Sequence, residues 1–331
     1  MVKVFYDADA DIADIANETI AIIGYGIQGR AQSLNMRDSG LSVIVGNRDD
    51  EFRRRAVEDG FQAYDIAEAA KQGDIIVLLI PDEVQAQVYK QHIEPNLKPG
   101  KALVFAHGFA IRYGLISPPA DVDTVLVSPR MPGGYLRQFF QNGHGVPVFV
   151  DVHCDATGRA WKRTLALAKA IGATRPGAMA ISFAEETELD HFAEHFIYPL
   201  VIGALELSYQ VLVENGYTPE AAIMELYGSG ELGEVLVTAA KVGLYNMVEM
   251  NASPACQYGI HSYTRKLFTD ESRQQIQQII DEIKDGSFAR ELIGDQQNGH
   301  RRLKQWAEEA RHSPITSAEA QVREIIKLKG W

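Results

Sequence analysis

The sequence predicts an α/β domain of the Rossmann type, a doubly wound parallel sheet, followed by an all-α domain. Three observations carry that expectation. From residue 20 to about 150, short apolar runs bounded by Gly, Pro or Asp alternate with polar helical stretches. This is the pattern of buried parallel strands joined by helices. A glycine-rich turn follows the first run directly. From about Thr157 strand signals stop and long helical periodicity takes over.

The strand runs, in order, are Thr19–Gly24, Leu41–Gly46, Asp74–Pro81, Ala102–Ala106, Thr124–Pro129 and Pro147–Val152. Each is β-branched or apolar and closed by a breaker, as a buried strand requires. Arg30–Asp38 is helix-competent and follows the glycine turn. The expected helices then run Ala160–Ile171, Phe183 to about Glu214, Pro219–Leu226, Leu232–Met250, Ser272–Leu292 and Ser317–Trp331. Gly172, Asn215-Gly216, Gly228-Ser229-Gly230 and Ser253-Pro254 punctuate them. The domains are placed at 1–182 and 183–331.

A chain of 331 residues is long enough for two cores. Its net charge of −12, without a long basic run, argues against nucleic acid and anionic membrane as partners. No apolar run approaches the ~20 residues of a membrane span. Two cysteines, Cys154 and Cys256, fit a reducing compartment. Met1 to Glu18 carries five acids and one Lys, the reverse of a signal peptide, so a cytoplasmic location is expected.

Gly24-Tyr25-Gly26-Ile27-Gln28-Gly29 sits between strand and helix. Glycines there allow a tight turn and close approach to a pyrophosphate, which the helix N-terminus attracts. The next strand ends at Asn47-Arg48-Asp49-Asp50-Glu51-Phe52-Arg53. Asp49 lies 20 residues beyond Gly29, the spacing at which an acid meets the adenosine ribose and repels a 2′-phosphate. The acids point to NAD(H) over NADP(H). Arg48 and Arg53 are the counterweight, since either can pair with a 2′-phosphate and Arg48 can stack on adenine. Ile80, Pro81, Asp82 and Gln85, at the third strand's end, are expected to border the pyrophosphate and nicotinamide ribose. Gly133 is placed among the cofactor contacts as well. His107 closes the fourth strand, where open α/β sheets bind ligands.

Glu186, Asp190 and Glu194 recur at i, i+4 and i+8 on one helix face. Like charges at that spacing repel by ~0.2–0.5 kcal/mol per pair. The apolar neighbours Phe192, Phe196 and Pro199–Leu205 imply a largely buried helix, where stacked carboxylates need a cation. Oxygen ligands favour Mg²⁺ or Mn²⁺. A solvated acidic stripe is the plainer alternative, and burial decides between them. Glu225, Glu231 and Glu234 form a second acidic group around Tyr227-Gly228-Ser229-Gly230, able to complete a metal site from a neighbouring helix or subunit.

Along nearly the whole chain these segments resemble the short-form ketol-acid reductoisomerase family. The glycine turn, Leu34-Asn35-Met36-Arg37-Asp38-Ser39-Gly40, Pro81-Asp82-Glu83-Val84-Gln85, Ile93-Glu94-Pro95-Asn96-Leu97, Phe105-Ala106-His107-Gly108-Phe109 and Glu185-Glu186-Thr187-Glu188-Leu189-Asp190 carry the likeness. The resemblance implies a knotted helical domain and a homodimer sharing active sites. It also implies Mg²⁺ on Asp190 and Glu194, and alkyl migration with hydride reduction of a small keto or hydroxy acid.

The departures cluster at the site. Arg130 stands where the family has Lys, and Arg cannot release its proton. The family's paired Glu of the second metal falls on Glu225 and Ser229, or on Tyr227 and Glu231, depending on the end counted from. The family's substrate serine falls on Ser253, followed by Pro254-Ala255 rather than Asn-Thr. The cofactor loop lacks the serines that hold a 2′-phosphate.

The expected function is therefore a repurposed member of the family. It would oxidise an alcohol transiently, rearrange or cyclise with loss of a leaving group, and return the hydride. In this it is similar to the family homologue that forms a cyclopropanol from a sulfonium diol acid in specialised polyketide biosynthesis. His107, Arg130, Glu231 and Ser253 would be its catalytic and substrate residues. Asp190 and Glu194 would hold the metal, with Glu231 and Glu225 as the further candidates. The alternatives are the ordinary acetohydroxy acid isomeroreductase of valine and isoleucine synthesis, a non-catalytic dinucleotide-binding protein, and a simple 2-hydroxy-acid dehydrogenase. The carboxylate helix argues against the last, because hydride transfer alone needs no Mg²⁺.

Overall fold

The computed structural model describes residues 2–326. It divides into two compact units, Met1–Leu189 and Asp190–Trp331.

The first unit is built on a sheet whose described strands are β1 (Val4–Phe5), β2 (Thr19–Ile23), β3 (Ser42–Gly46), β4 (Gln62–Tyr64), β5 (Ile75–Leu78), β6 (Ala102–Phe105), β7 (Asp123–Pro129), β8 (Val148–Cys154) and β9 (Ala178–Ala180). Their spatial order is β1-β9-β8-β7-β6-β5-β2-β3-β4. The six strands from β4 to β7 pair parallel, as expected. The far edge differs: β8 runs antiparallel to β7, and β1 antiparallel to β9. The sheet is thus mixed, not wholly parallel. β9 also corrects the expectation that strands end before Thr157. At two or three residues, β1, β4 and β9 are too short to show a period.

Alternation along the central strands divides the core into two layers. Ile20, Ile22, Ile75, Val77 and Val104 pack on one face, with Leu165 and Leu167 above them. Ala21, Ile23, Ile76, Leu78, Leu103 and Phe105 pack on the other, with Ala69, Ile93 and Phe183. Period-two side chains on a strand covered from both sides require this division. The helices of the unit are α1 (Ile27–Asp38), α2 (Glu51–Glu58), α3 (Ile66–Gln72), α4 (Asp82–Val88), α5 (Phe109–Arg112), α6 (Gly133–Gln141) and α7 (Ala160–Ala170). Strand order reverses about β2, with β3 on one side and β5 on the other. The crevice at the carboxyl ends of β2 and β5 is the binding position such folds offer.

α8 (Phe183–Phe192) begins in the first unit and continues through a π-turn, Ala193–Ile197, into α9 (Tyr198–Glu214). The second unit is entirely helical among its described residues. Two expected helices are each broken by a glycine with positive φ. Leu232–Met250 becomes Glu231–Val242 and Leu244–Asn251 about Gly243 (φ 96°). Ser272–Leu292 becomes Asp270–Asp285 and Ser287–Gln297 about Gly286 (φ 75°). Only glycine enters that region at little cost. The helices Pro254–Leu267 and Arg301–Arg311 went unforeseen. The closing helix runs Pro314–Ile325, and residues 327–331 of the expected Ser317–Trp331 lie outside the described residues.

Burial on the long helix also departs from expectation. Pro199, Leu200, Val201 and Ile202 are exposed in the single chain. Phe183–Glu214 contains an 18-residue window of mean hydropathy 1.6 with 6% of it buried, so by length and composition alone it passes as a membrane span. This departs from the expectation that no apolar run approaches a membrane span: five acids interrupt the first half of the segment, and the apolar window lies beyond them.

Candidate functional site

The glycine turn forms a cradle at the carboxyl end of β2. Gly24 has φ 98°, and a Cβ there would lie 2.6 Å from the Leu79 carbonyl oxygen and 2.7 Å from Ile80 Cγ2. At Gly29 a Cβ would meet the Gly24 carbonyl oxygen at 2.0 Å. Both glycines permit backbone to pack on backbone. Gly26 is different: nothing lies within 4 Å of a Cβ built on it, and it caps the N-terminus of α1. Free amides and an open face at a helix start are what a pyrophosphate needs. The cradle is pinned by Asn47, whose Oδ1 accepts from the Tyr25 amide at 3.1 Å. Gln28 Nε2 donates to the Met131 carbonyl at 2.9 Å, and Gly133 packs so closely on Ile27 that a Cβ would sit 2.3 Å from its carbonyl oxygen. The Ile27 side chain is exposed. The ring of Tyr25 is buried with Leu34, Val45, Ala56 and Phe61, so its backbone alone lines the cradle.

In the acidic loop Asp50 is committed. It caps α2 by accepting from the Phe52 and Arg53 amides, and takes Arg48 Nε at 2.7 Å. Arg53 reaches the Ala63 carbonyl at 3.4 Å. Asp49 is exposed and takes no part in the cap.

Across the switch point His107 leaves the end of β6 beside the start of α4. Its Nδ1 lies 2.9 Å from Asp82 Oδ2. Gln85, buried, donates from Nε2 to Asp82 Oδ1 at 2.8 Å and to the Ile80 carbonyl at 3.0 Å. Pro81, exposed, is the N-cap of α4.

α8 supplies the carboxylate. Phe183 anchors its start, with its ring edge-on to Phe105 at 6.0 Å and its amide donating to Asp151. Gly108 lets the helix approach: a Cβ there would lie 2.5 Å from the Phe183 carbonyl oxygen. Glu186 is thereby fully buried. It accepts from the Gly108 amide and from Ser128 Oγ, each at 2.7 Å, and Arg130 Nη1 stands 3.4 Å away. Burial pushes its carboxyl above the usual range, against the opposing pull of His107, Ser128 and Arg130. His107 and Glu186 offer ligand atoms within 4.8 Å of each other, and Asp190 stands one turn beyond Glu186 on α8. Oxygen donors beside an imidazole, half out of water, fit a hard divalent cation. The stripe is graded: Glu186 buried, Asp190 partly buried, Glu194 exposed on the π-turn.

In the second unit Glu225 and Glu231 are exposed. They flank a break: the π-turn Met224–Gly228 ends, and a new helix starts at Glu231 after Gly230 (φ 82°). Ser253 is exposed and caps the helix from Pro254, accepting from the Cys256 amide. Sequence reasoning missed Gly108, Ser128 and the central place of Glu186. The signal for Glu186 was its position four residues before Asp190.

A Rossmann-type sheet with an open glycine cradle at its switch point, and a buried carboxylate beside a histidine next to it, defines a nicotinamide-dependent oxidoreductase. Residues 14–177 match the acetohydroxy acid isomeroreductase, NADPH-binding domain, and residues 183–328 match the ketol-acid reductoisomerase C-terminal domain. The chain is 41% identical over 330 residues to the ketol-acid reductoisomerase (NADP(+)) of Pyrobaculum calidifontis, covering 98% of this chain and 99% of that one. It is 40% identical to that of Kineococcus radiotolerans, covering 100% and 96%. Its fold is similar to an NADH-preferring ketol-acid reductoisomerase from an uncultured archaeon, with TM-score 0.94, 32% identity and coverage of 98% and 100%. The chain belongs to the ketol-acid reductoisomerase family, and is an NAD(P)-dependent oxidoreductase and isomerase of it.

Proposed function

We propose that the chain rearranges and reduces a 2-hydroxy-2-alkyl-3-keto acid, as an acetohydroxy acid isomeroreductase of branched-chain amino-acid synthesis, using NAD(H) and Mg²⁺. The observation that carries this reading is the pairing of His107 with buried Glu186, in the same unit as the open Gly26 cradle. When bound, Mg²⁺ polarises the substrate oxygens and the nicotinamide supplies hydride. The chain's own residues do the rest. Asp190 and Glu194 hold the cation, with Glu231 or Glu225 completing the set. Glu186 keeps a carboxylate oriented by the Gly108 amide and the Ser128 hydroxyl. His107 and Arg130 orient oxygens, and Ser253 meets the substrate carboxylate. NAD(H) is preferred because Asp49 faces solvent while both nearby arginines are engaged, Arg48 with Asp50 and Arg53 with the Ala63 carbonyl. A homodimer sharing active sites would cover the apolar side chains of Ile197, Leu200, Ile202 and Leu207, which the single chain leaves exposed.

A second reading follows from the break at Gly228–Gly230 and from Arg130 in place of Lys. Both favour a redox-neutral member, taking a diol acid with a leaving group to a cyclised alcohol. One experiment separates the two. Gently purified protein is analysed by absorbance and mass spectrometry for bound nucleotide, then offered 2-acetolactate with Mg²⁺ and either NADH or NADPH. NADH-dependent turnover supports the first reading. Bound NAD with no turnover rejects it in favour of the second.

A further inference from the structure

We propose that Asp82 is a positioning residue which fixes the proton of His107 on Nδ1 and so turns Nε2 toward the reacting centre. Sequence position placed Asp82 and Gln85 against the cofactor; the geometry gives them another task. Asp82 Oδ2 is 2.9 Å from His107 Nδ1, and a carboxylate can only accept there, so Nδ1 must donate. Its other oxygen, Oδ1, takes Gln85 Nε2 at 2.8 Å. The same Gln85 nitrogen is tied to the Ile80 carbonyl, and Gln85 is 3% exposed. A buried amide therefore holds the carboxylate, and the carboxylate holds the imidazole. The ring is also stacked on Phe109, with centroids 6.1 Å apart and planes inclined by 30°, which limits its rotation. A histidine whose second nitrogen is fixed in this way presents one defined atom to substrate or cation. The Asp82 carboxylate thus has a partner within the protein, His107, besides the cofactor edge at which its sequence position places it.

The inference rests on His107 being a site residue, and its test does not need turnover. Full-length protein labelled with ¹⁵N-histidine is compared with Asp82→Asn by long-range ¹H–¹⁵N NMR. In the native chain His107 Nδ1 is expected to carry a proton. In Asp82→Asn the amide swings its NH₂ toward the ring and its oxygen toward Gln85, and the proton moves to Nε2. Steady-state kinetics should then show kcat lowered about 10–100-fold, the usual cost of losing a group behind a functional histidine. KM for the nicotinamide cofactor should stay within about twofold of native. Gln85→Leu, which frees Asp82 without touching His107, should move both readouts in the same direction by less, and serves if Asp82→Asn fails to fold. A native His107 lacking the Nδ1 proton overturns the proposal. So does a variant whose cofactor KM rises while kcat holds, which would make Asp82 a cofactor contact. An inactive native enzyme with the Nδ1 proton in place would sink the proposed reaction and leave the positioning role standing.

Discussion

The cradle glycines give a sharp separation of binding from stability. At Gly26 a methyl group meets nothing within 4 Å, and φ is −75°, so Gly26→Ala is accommodated without strain. Its stability change should be a few tenths of a kcal/mol, the ordinary difference between Gly and Ala around a helix cap. That methyl would nonetheless occupy the face from which a pyrophosphate must approach. Losing one close backbone contact to a phosphate at ~1.4 kcal/mol is a tenfold rise in Kd. Gly29→Ala is the converse. Its Cβ would lie 2.0 Å from the Gly24 carbonyl oxygen, which is backbone and cannot rotate away. Overpacking of that kind costs about 3 kcal/mol, which lowers Tm by roughly 6–12 °C for a unit of this size. Fluorescence titration with NADH and thermal melts of both variants decide the matter. The expected pattern is native Tm with a Kd at least tenfold higher for Gly26→Ala, and a clear fall in Tm for Gly29→Ala. A Gly26→Ala protein that binds NADH as well as native would refute the assignment of this turn to the pyrophosphate.

Three more outcomes are expected. Glu186→Gln should weaken Mg²⁺ binding about tenfold or more by calorimetry, since it removes the buried negative charge while a Gln oxygen still accepts from Gly108 or Ser128; unchanged affinity would take Glu186 out of the cation's surroundings. Asp49→Ser should raise kcat/KM for NADPH about tenfold relative to NADH by removing the charge that repels a 2′-phosphate, and an unaltered ratio would locate cofactor choice elsewhere. Asp59→Asn bears on pH. The Arg30 guanidinium, assisted by the Tyr25 hydroxyl, holds the Asp59 carboxyl below the usual range against the effect of burial. A depressed carboxylate adds stability above its unfolded value near 4, and that stability is lost as pH falls toward the folded value. Denaturation midpoints followed from pH 6 to pH 3 should therefore fall more steeply in the native chain than in Asp59→Asn, and parallel curves would count against the pair.

What the sequence disclosed depended on the range of the signal. β2, β3, β5, β6 and β7 were legible because parallel strands covered on both faces read as unbroken apolar runs. β1, β4 and β9 were not, because two or three residues carry no period. The mixed edge was hidden for another reason: strand direction is decided by long-range pairing that no local run records. In the helical unit, position along the chain was easier to read than continuity. Gly243 and Gly286 looked tolerable inside helices, and their positive φ is visible only in three dimensions. The candidate site was half legible. Asp190 and His107 announced themselves by spacing and place. Glu186 became central only through Gly108, whose missing side chain lets α8 close in, and through Ser128 from a strand far away in sequence. Asp82 was read by its neighbours in sequence, and the structure shows it turned to a histidine 25 residues further on.

The division of labour between Asp49 and Asp50 bears on how this enzyme can change over generations. Asp50 is a cap as well as a charge, so substitutions there that remove its capping oxygen would loosen the first turn of α2 at about 1 kcal/mol before any new coenzyme is gained. Asp49 carries no such duty. If Asp49 meets the ribose as proposed, adaptation of nucleotide preference has one inexpensive door in this loop, while the adjacent position is held to residues that can cap α2. A lineage exploring both coenzymes would be expected to vary at 49 first and to keep an Asp, Asn or Ser at 50 throughout.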